Sequence, residues 1–181
     1  MRVLIPLANG VEELEAVTLL DVLRRGGIQV TSASLTDTLP VKGLRGVTVL
    51  ADATWASLDT SDFDAIVLPG GGKGTEKLAA DERVLTAIRS FDEDGKFVAA
   101  LCAAPTVLAK AGILRDRRAT CYPSCAAELG DSFDNAPVIA DGNLITSQGP
   151  GTAMLFALVL VQQFAGDEVA RRVADGLLTT F

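Results

Sequence analysis

The sequence KFVAALCAAP, residues 96–105, decides how the chain is interpreted. Its apolar part, Phe97–Leu101, has the length and composition of a buried strand. Pro105 is typical of the first turn of a helix, so the strand must change into a helix within a few residues. Cys102 lies at that junction, where a tight turn presents a side chain above the end of the sheet, as in the nucleophile elbow of hydrolases.

Two interpretations of Cys102 follow from this position. The chain contains no histidine, so the commonest general base is absent and a thiol becomes the leading candidate for a reactive group. The start of the following helix would favour a thiolate and lower the pKa of Cys102. Cysteine is, however, often a small buried apolar side chain. The spacing alone leaves the two interpretations about equal.

Strands and helices alternate on both sides of this stretch. Strands are predicted at residues 3–7, 28–34, 47–51, 64–68, 97–101 and 119–122, with a hairpin formed by residues 138–140 and 144–146. Helices are predicted at residues 11–25, 75–79, 81–91, 105–111, 152–164 and 167–178. This alternation predicts an α/β fold in a single domain, residues 1–181, with a mostly parallel sheet and helices on both faces.

Ligands bind at the carboxyl ends of the strands in such sheets. The first helix begins there and carries Glu15 on an inward stripe with Leu14 and Thr18, whereas Glu12 and Glu13 are expected to point away. A carboxyl group buried there would tend to stay protonated near neutral pH and could hydrogen-bond a thiolate. The alternative is a glutamate at the edge of the stripe that reaches solvent.

A run of glycines, residues 70–72, follows the most apolar strand. Its backbone N–H groups could form an oxyanion hole that faces Cys102, although glycines also form flexible turns by default. Cys121 and Cys125 could resolve an oxidised thiol, but packing in the core is the better explanation of both. A metal site is not expected, because there is no histidine and no C-x-x-C pair.

The composition disfavours several classes of protein. There are 16 basic and 23 acidic residues, a net charge of −7, and no basic stripe, which argues against nucleic-acid binding. The longest apolar run, residues 153–161, is too short to cross a membrane. Three cysteines and an N-terminus without a signal-peptide pattern favour a cytoplasmic location.

Four segments together resemble the ThiJ/PfpI superfamily, and within it the branch of the parkinsonism-associated protein deglycase and bacterial YajL. They are residues 12–17 (EELEAV), 68–71 (LPGG), 99–105 (AALCAAP) and 146–152 (TSQGPGT). The resemblance keeps the order and spacing of the family over essentially the whole chain. It implies a flavodoxin-like three-layer sandwich, usually a homodimer.

The resemblance also implies roles for individual residues. Cys102 would be the reactive thiol and Glu15 its carboxylic partner, while the backbone amides of Gly71 and Ala103 would form the oxyanion hole. The further candidates for site lining or dimer contact are Gly70, Tyr122, Arg45, Asp21 and Arg25. Among these, Arg45 would approach the site of the partner subunit, and Tyr122 stands where some relatives have a histidine.

The first helix supports a dimer independently of the resemblance. Val17, Leu20 and Leu23 are apolar away from the inward stripe, and a helix that is apolar on two faces usually packs on two sides.

The activity implied by the resemblance is a glyoxalase or deglycase reaction. The substrates would be small α-oxoaldehydes such as methylglyoxal, or their early adducts with proteins, without glutathione, a metal or another cofactor. The alternative is an oxidative-stress sensor or chaperone in which Cys102 is oxidised to a sulfinate. A Cys-His peptidase is excluded because the chain has no histidine and Ala103 follows the cysteine.

Overall fold

Nine strands and seven helices make up the computed structural model, which describes residues 1–181. The strands are β1 (Arg2–Leu7), β2 (Gln29–Ser34), β3 (Pro40–Lys42), β4 (Thr48–Leu50), β5 (Ala53–Thr54), β6 (Ala65–Leu68), β7 (Phe97–Leu101), β8 (Val138–Asp141) and β9 (Leu144–Ser147). The helices are α1 (Glu13–Arg25), α2 (Gly72–Ala80), α3 (Glu82–Glu93), α4 (Pro105–Ala111), α5 (Ala126–Leu129), α6 (Ala153–Ala165) and α7 (Asp167–Gly176).

Seven of the strands form one sheet in the order β5-β2-β1-β6-β7-β9-β8. All neighbours are parallel except β8, which pairs antiparallel with β9. The chain builds outward in one direction from β1 to β2 and in the other from β6 to β7. A crevice therefore opens between the carboxyl ends of β1 and β6, where ligands bind in sheets of this kind.

Alternating residues of each central strand pack on opposite faces of the sheet. Val3, Ile5 and Leu7 belong to a cluster with side chains of α1, α6 and α7. Leu4 and Ile66 belong to a second cluster with side chains of α3 and α4. Both faces are covered, so the predicted three-layer α/β architecture with a mostly parallel sheet is confirmed.

Two predicted strands are wrong or misplaced. Residues 119–122 form only one isolated bridge, between Ala119 and Phe133, because the N–H of Thr120 donates to the side chain of Thr146 (2.8 Å) rather than to a strand backbone. Residues 47–51 contribute β4, but β4 pairs with β3 in a separate antiparallel hairpin. The short strand β3 was not predicted.

Helix α1 also differs from its predicted orientation. Leu14 is 53% exposed and lies on the outer face, while Leu20 and Leu23 are buried. Glu13 is buried as well, because its Oε1 accepts the backbone N–H groups of Arg45 (2.8 Å) and Val47 (3.2 Å). Glu13 therefore holds the turn of the β3–β4 hairpin against α1. None of the helices has the length and hydropathy required to cross a bilayer.

Candidate active site

Cys102 occupies the turn between β7 and α4 with a φ of +62°, in the left-handed region that non-glycine residues rarely adopt. Its N–H donates to the carbonyl of Ser147 (3.0 Å), and its carbonyl accepts the N–H of Tyr122 (2.8 Å). The neighbouring chain segments thus hold both backbone polar groups. The side chain is only 9% exposed, at the base of a cavity.

Glu15 lies beneath this turn and is fully buried. Its Oε2 accepts the N–H of Gly70 at 2.7 Å, and its Oε1 receives no N–H or O–H group of the protein. Burial raises the pKa of Glu15 to about 7, against the hydrogen bonds from Gly70 and the Cys102 thiol, while the charge of Glu12 raises it further. The carboxyl group therefore retains its proton up to nearly neutral pH.

The thiol does not have the low pKa expected from its place at the start of a helix. Burial, followed by the charge and hydrogen bond of ionised Glu15, raises the pKa of Cys102 to about 12. The backbone N–H groups of Gly71 and Ala103 act in the opposite direction. Because Glu15 and Cys102 are in contact, a thiolate forms most easily when Glu15 carries the proton.

Glycine is required where the loop after β6 approaches the pair. A Cβ on Gly70 would lie 2.6 Å from the Cβ of Cys102 and 2.8 Å from Oε2 of Glu15. Gly71 has a φ of +98°, and its Cβ would lie 2.3 Å from the N of Glu12. These two glycines let backbone amides reach the carboxyl group and the sulfur directly.

A cavity of about 340 Å³ opens above Cys102. It is lined by Glu12, Leu44, Arg45, Gly71, Gly72, Cys102, Ala103, Tyr122, Ser124, Cys125 and Pro150. A larger open cleft of about 710 Å³ beside Trp55 shares none of these residues. The cavity combines two thiols, two amide donors, one cationic side chain and one carboxylate, which suits a small polar electrophile.

The structure brings most of the predicted residues together. Cys102, Glu15, Gly70, Gly71 and Ala103 form the centre, and Tyr122 lines the cavity. Tyr122 and Cys102 also flank the loop after β9, since a Cβ on Gly149 would lie 3.3 Å from the Tyr122 ring and 3.9 Å from Sγ.

Three further predicted residues have the following places in the single chain, and their contacts with a partner subunit stay predictions. Arg45, expected near a partner subunit's site, lines the cavity of its own chain. Asp21 and Arg25 lie further along α1, outside the cavity, and pair with each other at 2.7 Å.

Glu12 and Cys125 were not predicted to line the cavity. Glu12 immediately precedes α1 at the crevice, and this position in the sequence could have predicted that it lines the cavity. Cys125 follows Tyr122 by three residues. This separation predicts its place at the cavity only when Tyr122 is known to lie beside Cys102.

The fold and this site define a class: an α/β protein with a cysteine at a strand-to-helix turn, paired with a buried carboxyl group. The chain belongs to the DJ-1/PfpI family, whose model matches residues 1–163. It is 44% identical to protein dj-1beta of Drosophila melanogaster, over 98% of this chain and 97% of that protein. The crystal structure of that protein superimposes with a TM-score of 0.96 over 99% and 98% of the two chains.

Two other relatives carry names that describe an activity or a chemical state. The glutathione-independent glyoxalase DJR-1.2 of Caenorhabditis elegans is 37% identical over 87% of this chain and 84% of that protein. The structure of oxidized DJ-1 from Toxoplasma gondii is 35% identical, with a TM-score of 0.96 over 99% of each chain.

Proposed function

We propose that the protein is a glyoxalase or deglycase that acts through Cys102 on α-oxoaldehydes or their early protein adducts, without a cofactor. The closeness of Cys102 and a buried Glu15, which meet at Gly70, is the observation that carries this proposal: Glu15 accepts the Gly70 N–H at 2.7 Å, and a Cβ on Gly70 would lie within 3 Å of both side chains. It gives a nucleophile at the cavity and a proton carrier buried directly beneath it, without a histidine. A relative named as a glutathione-independent glyoxalase supports the same activity.

The reaction on methylglyoxal would proceed in three steps. The Cys102 thiolate adds to the aldehyde carbon, and the N–H groups of Gly71 and Ala103 stabilise the oxyanion of the hemithioacetal. Glu15 gives its proton to this oxyanion and becomes a carboxylate. The carboxylate then takes the proton from the former aldehyde carbon and returns it to the neighbouring carbon, while the hydroxyl proton passes to the neighbouring oxygen, which converts the adduct to a thioester. Water hydrolyses the thioester and releases lactate and the free thiol, so the net reaction adds one water.

The test is lactate production from methylglyoxal by the wild type, Cys102→Ala and Glu15→Gln. Cys102→Ala should lose turnover because no hemithioacetal can form. Glu15→Gln keeps an oxygen for the Gly70 N–H but lacks a transferable proton, so we expect a loss of roughly 10²- to 10⁴-fold.

The matched control is Cys121→Ala, which removes a buried thiol outside the cavity and should keep wild-type turnover. Lactate production that is no faster with the wild type than with Cys102→Ala would exclude the enzymatic proposal. A glycated peptide run in parallel separates action on free aldehydes from action on adducts.

A sensor or chaperone role that depends on oxidation of Cys102 is the second candidate. It is favoured by the protonated carboxyl group beside the thiol, which could donate a hydrogen bond to an oxidised sulfur, and by the oxidized relative of similar structure. Oxidation confined to Cys102 under mild peroxide would support it.

We further propose that residues 1–181 form one domain that acts as a homodimer in the cytoplasm. The continuous sheet, with α1 and α6 packed on the same face, supports a single domain. The outer face of α1 exposes Leu14 and Val17, and the neighbouring hairpin exposes Val47 and Leu50. These side chains provide an apolar surface for a second copy of the chain.

A further inference from the structure

Two of the three thiols share the candidate cavity. Cys102 and Cys125 both line the space of about 340 Å³. Two backbone hydrogen bonds connect them: the carbonyl of Cys102 accepts the N–H of Tyr122 at 2.8 Å, and the carbonyl of Tyr122 accepts the N–H of Cys125 at 2.8 Å. Cys125 therefore lies one turn of chain beyond Tyr122, the residue that is hydrogen-bonded to Cys102.

The third thiol has a different environment. Cys121 is fully buried in the apolar cluster on the α3–α4 face of the sheet and does not line the cavity. Burial, with smaller contributions from Cys125 and Glu128, raises the pKa of Cys121 to about 12. Cys125 is half-buried. Of the two thiols other than Cys102, only Cys125 opens into the space where an oxidant would meet Cys102.

The segment that carries Cys125 is built from short elements. Residues 123–125 form a single 3₁₀ turn, and the following helix α5 has only four residues. Tyr122, Pro123 and Ser124 are exposed, and Pro123 has no N–H to donate. Short, exposed segments with few backbone hydrogen bonds open at a lower free energy than core strands. Cys125 can therefore approach Cys102 while the sheet remains intact.

We infer that Cys125 is a resolving cysteine, which converts the sulfenic acid of Cys102 into an intramolecular disulfide. This rests on the proposal that Cys102 is the reactive thiol, and it deepens the oxidative candidate function. The oxidant required is a hydroperoxide.

The Cys102 thiolate attacks the terminal oxygen of the hydroperoxide. The O–O bond breaks, one oxygen stays on sulfur as the sulfenic acid, and the other leaves as hydroxide, which takes up the thiol proton and becomes water. The Cys125 sulfur then attacks the sulfenic sulfur, the S–O bond breaks, and hydroxide leaves as water with the proton of Cys125. Two thiols and one hydrogen peroxide thus give one disulfide and two waters.

The resolving step determines how far oxidation proceeds. A sulfenic acid that meets no thiol is oxidised further to a sulfinic acid, which is not reduced by ordinary thiols. A disulfide with Cys125 would stop the oxidation of Cys102 at the sulfenic acid and would be reversed by a thiol reductant. Oxidation of this protein by low concentrations of peroxide would therefore be reversible.

The test is peptide mapping by mass spectrometry, under non-reducing conditions, after treatment with two equivalents of hydrogen peroxide, the amount that a sulfinic acid requires. The wild type should lose two hydrogens in a cross-link between the Cys102 and Cys125 peptides, and dithiothreitol should restore its mass. Cys125→Ala should lose the cross-link and instead gain two oxygens on Cys102. Cys121→Ala is the matched control and should form the same cross-link as the wild type.

Two results would overturn the inference: a wild type that gains two oxygens on Cys102 as readily as Cys125→Ala does, or a cross-link that involves Cys121. The mapping requires no turnover, so its outcome is independent of the methylglyoxal assay. A peroxide-treated Cys102→Ala variant that still forms a cross-link would count instead against Cys102 as the reactive thiol. Cross-linking in the wild type without lactate production would leave the inference standing and reject only the glyoxalase reaction.

Discussion

Glu15 is a carboxyl group that the fold has removed from water. Its neighbours satisfy one of its two oxygens by a single N–H, from Gly70, which is too little to offset the loss of hydration when the group ionises. The folded protein therefore binds the Glu15 proton more tightly than the unfolded chain does. The stability of the fold must therefore change with pH over the range between the pKa of Glu15 in the unfolded chain and its pKa in the folded protein.

We expect this residue to make the wild type less stable as pH rises from 4.5 to about 7. The unfolded carboxyl group ionises near its ordinary pKa of 4.5, whereas the folded one does so at about 7. Stability is therefore full below pH 4.5 and falls until the folded group has also ionised. The difference amounts to about 3 kcal/mol. Urea unfolding at pH 5 and pH 8 measures most of it, since part of the loss has already occurred at pH 5.

Glu15→Gln should lack this loss, because the amide does not ionise and can still accept the Gly70 N–H. Its advantage over the wild type should grow between pH 5 and pH 8. Glu93→Gln, at an exposed position, should follow the wild type. Parallel stability curves for Glu15→Gln and the wild type would show that Glu15 is not protonated in the fold.

Residue-level prediction from the sequence succeeded where a local pattern determined the environment. Cys102 was predicted to lie at a turn because Phe97–Leu101 and Pro105 are strong local signals. The pKa of its thiol was not predictable, since it depends on a carboxylate that is distant in the sequence and on burial. The same applies to Arg45, whose place at its own cavity depends on the β3–β4 hairpin.

At the scale of elements, one side chain of α1 holds the turn of that hairpin. Glu13 accepts the N–H groups of Arg45 and Val47, and a Cβ on Gly43 would lie 2.6 Å from the carboxylate. Burial acts to raise the pKa of Glu13, but the backbone N–H groups around it hold the pKa below its ordinary value. The interaction is therefore complete at neutral pH and is lost as the pH falls through that lowered pKa.

Glu13→Ala should loosen the turn of the hairpin without unfolding the sheet. We expect amide hydrogen exchange at Arg45 and Val47 to become on the order of tenfold faster, because each loses its acceptor. Exchange in β1 and β7 should be unchanged. Glu76→Ala, which removes an exposed glutamate from α2, is the control. Unchanged exchange at both hairpin amides would contradict this role of Glu13.

The elements that the sequence predicted well are those with a continuous apolar run or clear helical periodicity. β1, β6 and β7 are buried on both faces, so nearly all of their residues are apolar and the strands can be recognised in the sequence. The strand β3 has only three residues, and its place is determined by contacts with the loop after β1: the N–H of Lys42 donates to Oδ1 of Asn9, and its carbonyl accepts the N–H of Gly10. The predicted strand at residues 119–122 failed because its neighbour in space offers a side-chain hydroxyl instead of an open edge.

At the scale of the whole molecule, α1 packs on α6 with one side and exposes an apolar face on the other, and α6 exposes Leu155. Leu14 is 53% exposed and Val17 is 48% exposed, next to a hairpin that exposes Val47 and Leu50. A surface of this kind marks an interaction site more often than a solvated face.

Leu14→Glu combined with Val17→Glu should therefore convert a dimer into a monomer. Each carboxylate would be buried without a partner if the interface formed. Sedimentation equilibrium of the wild type and the variant measures the change. Leu178→Glu is the control, since Leu178 is 95% exposed and its replacement should not alter the assembly. A wild type that sediments as a monomer would reject the proposed homodimer.

The left-handed backbone at Cys102 affects how readily substitution removes the reactive thiol. A side chain in that conformation costs on the order of 1–2 kcal/mol, and glycine would remove most of the cost. Random substitution under selection for stability alone would therefore tend to replace the thiol. A protein that keeps a cysteine at this turn therefore gives up some stability for its chemistry. Related proteins that have lost the reaction and carry glycine here should be more stable.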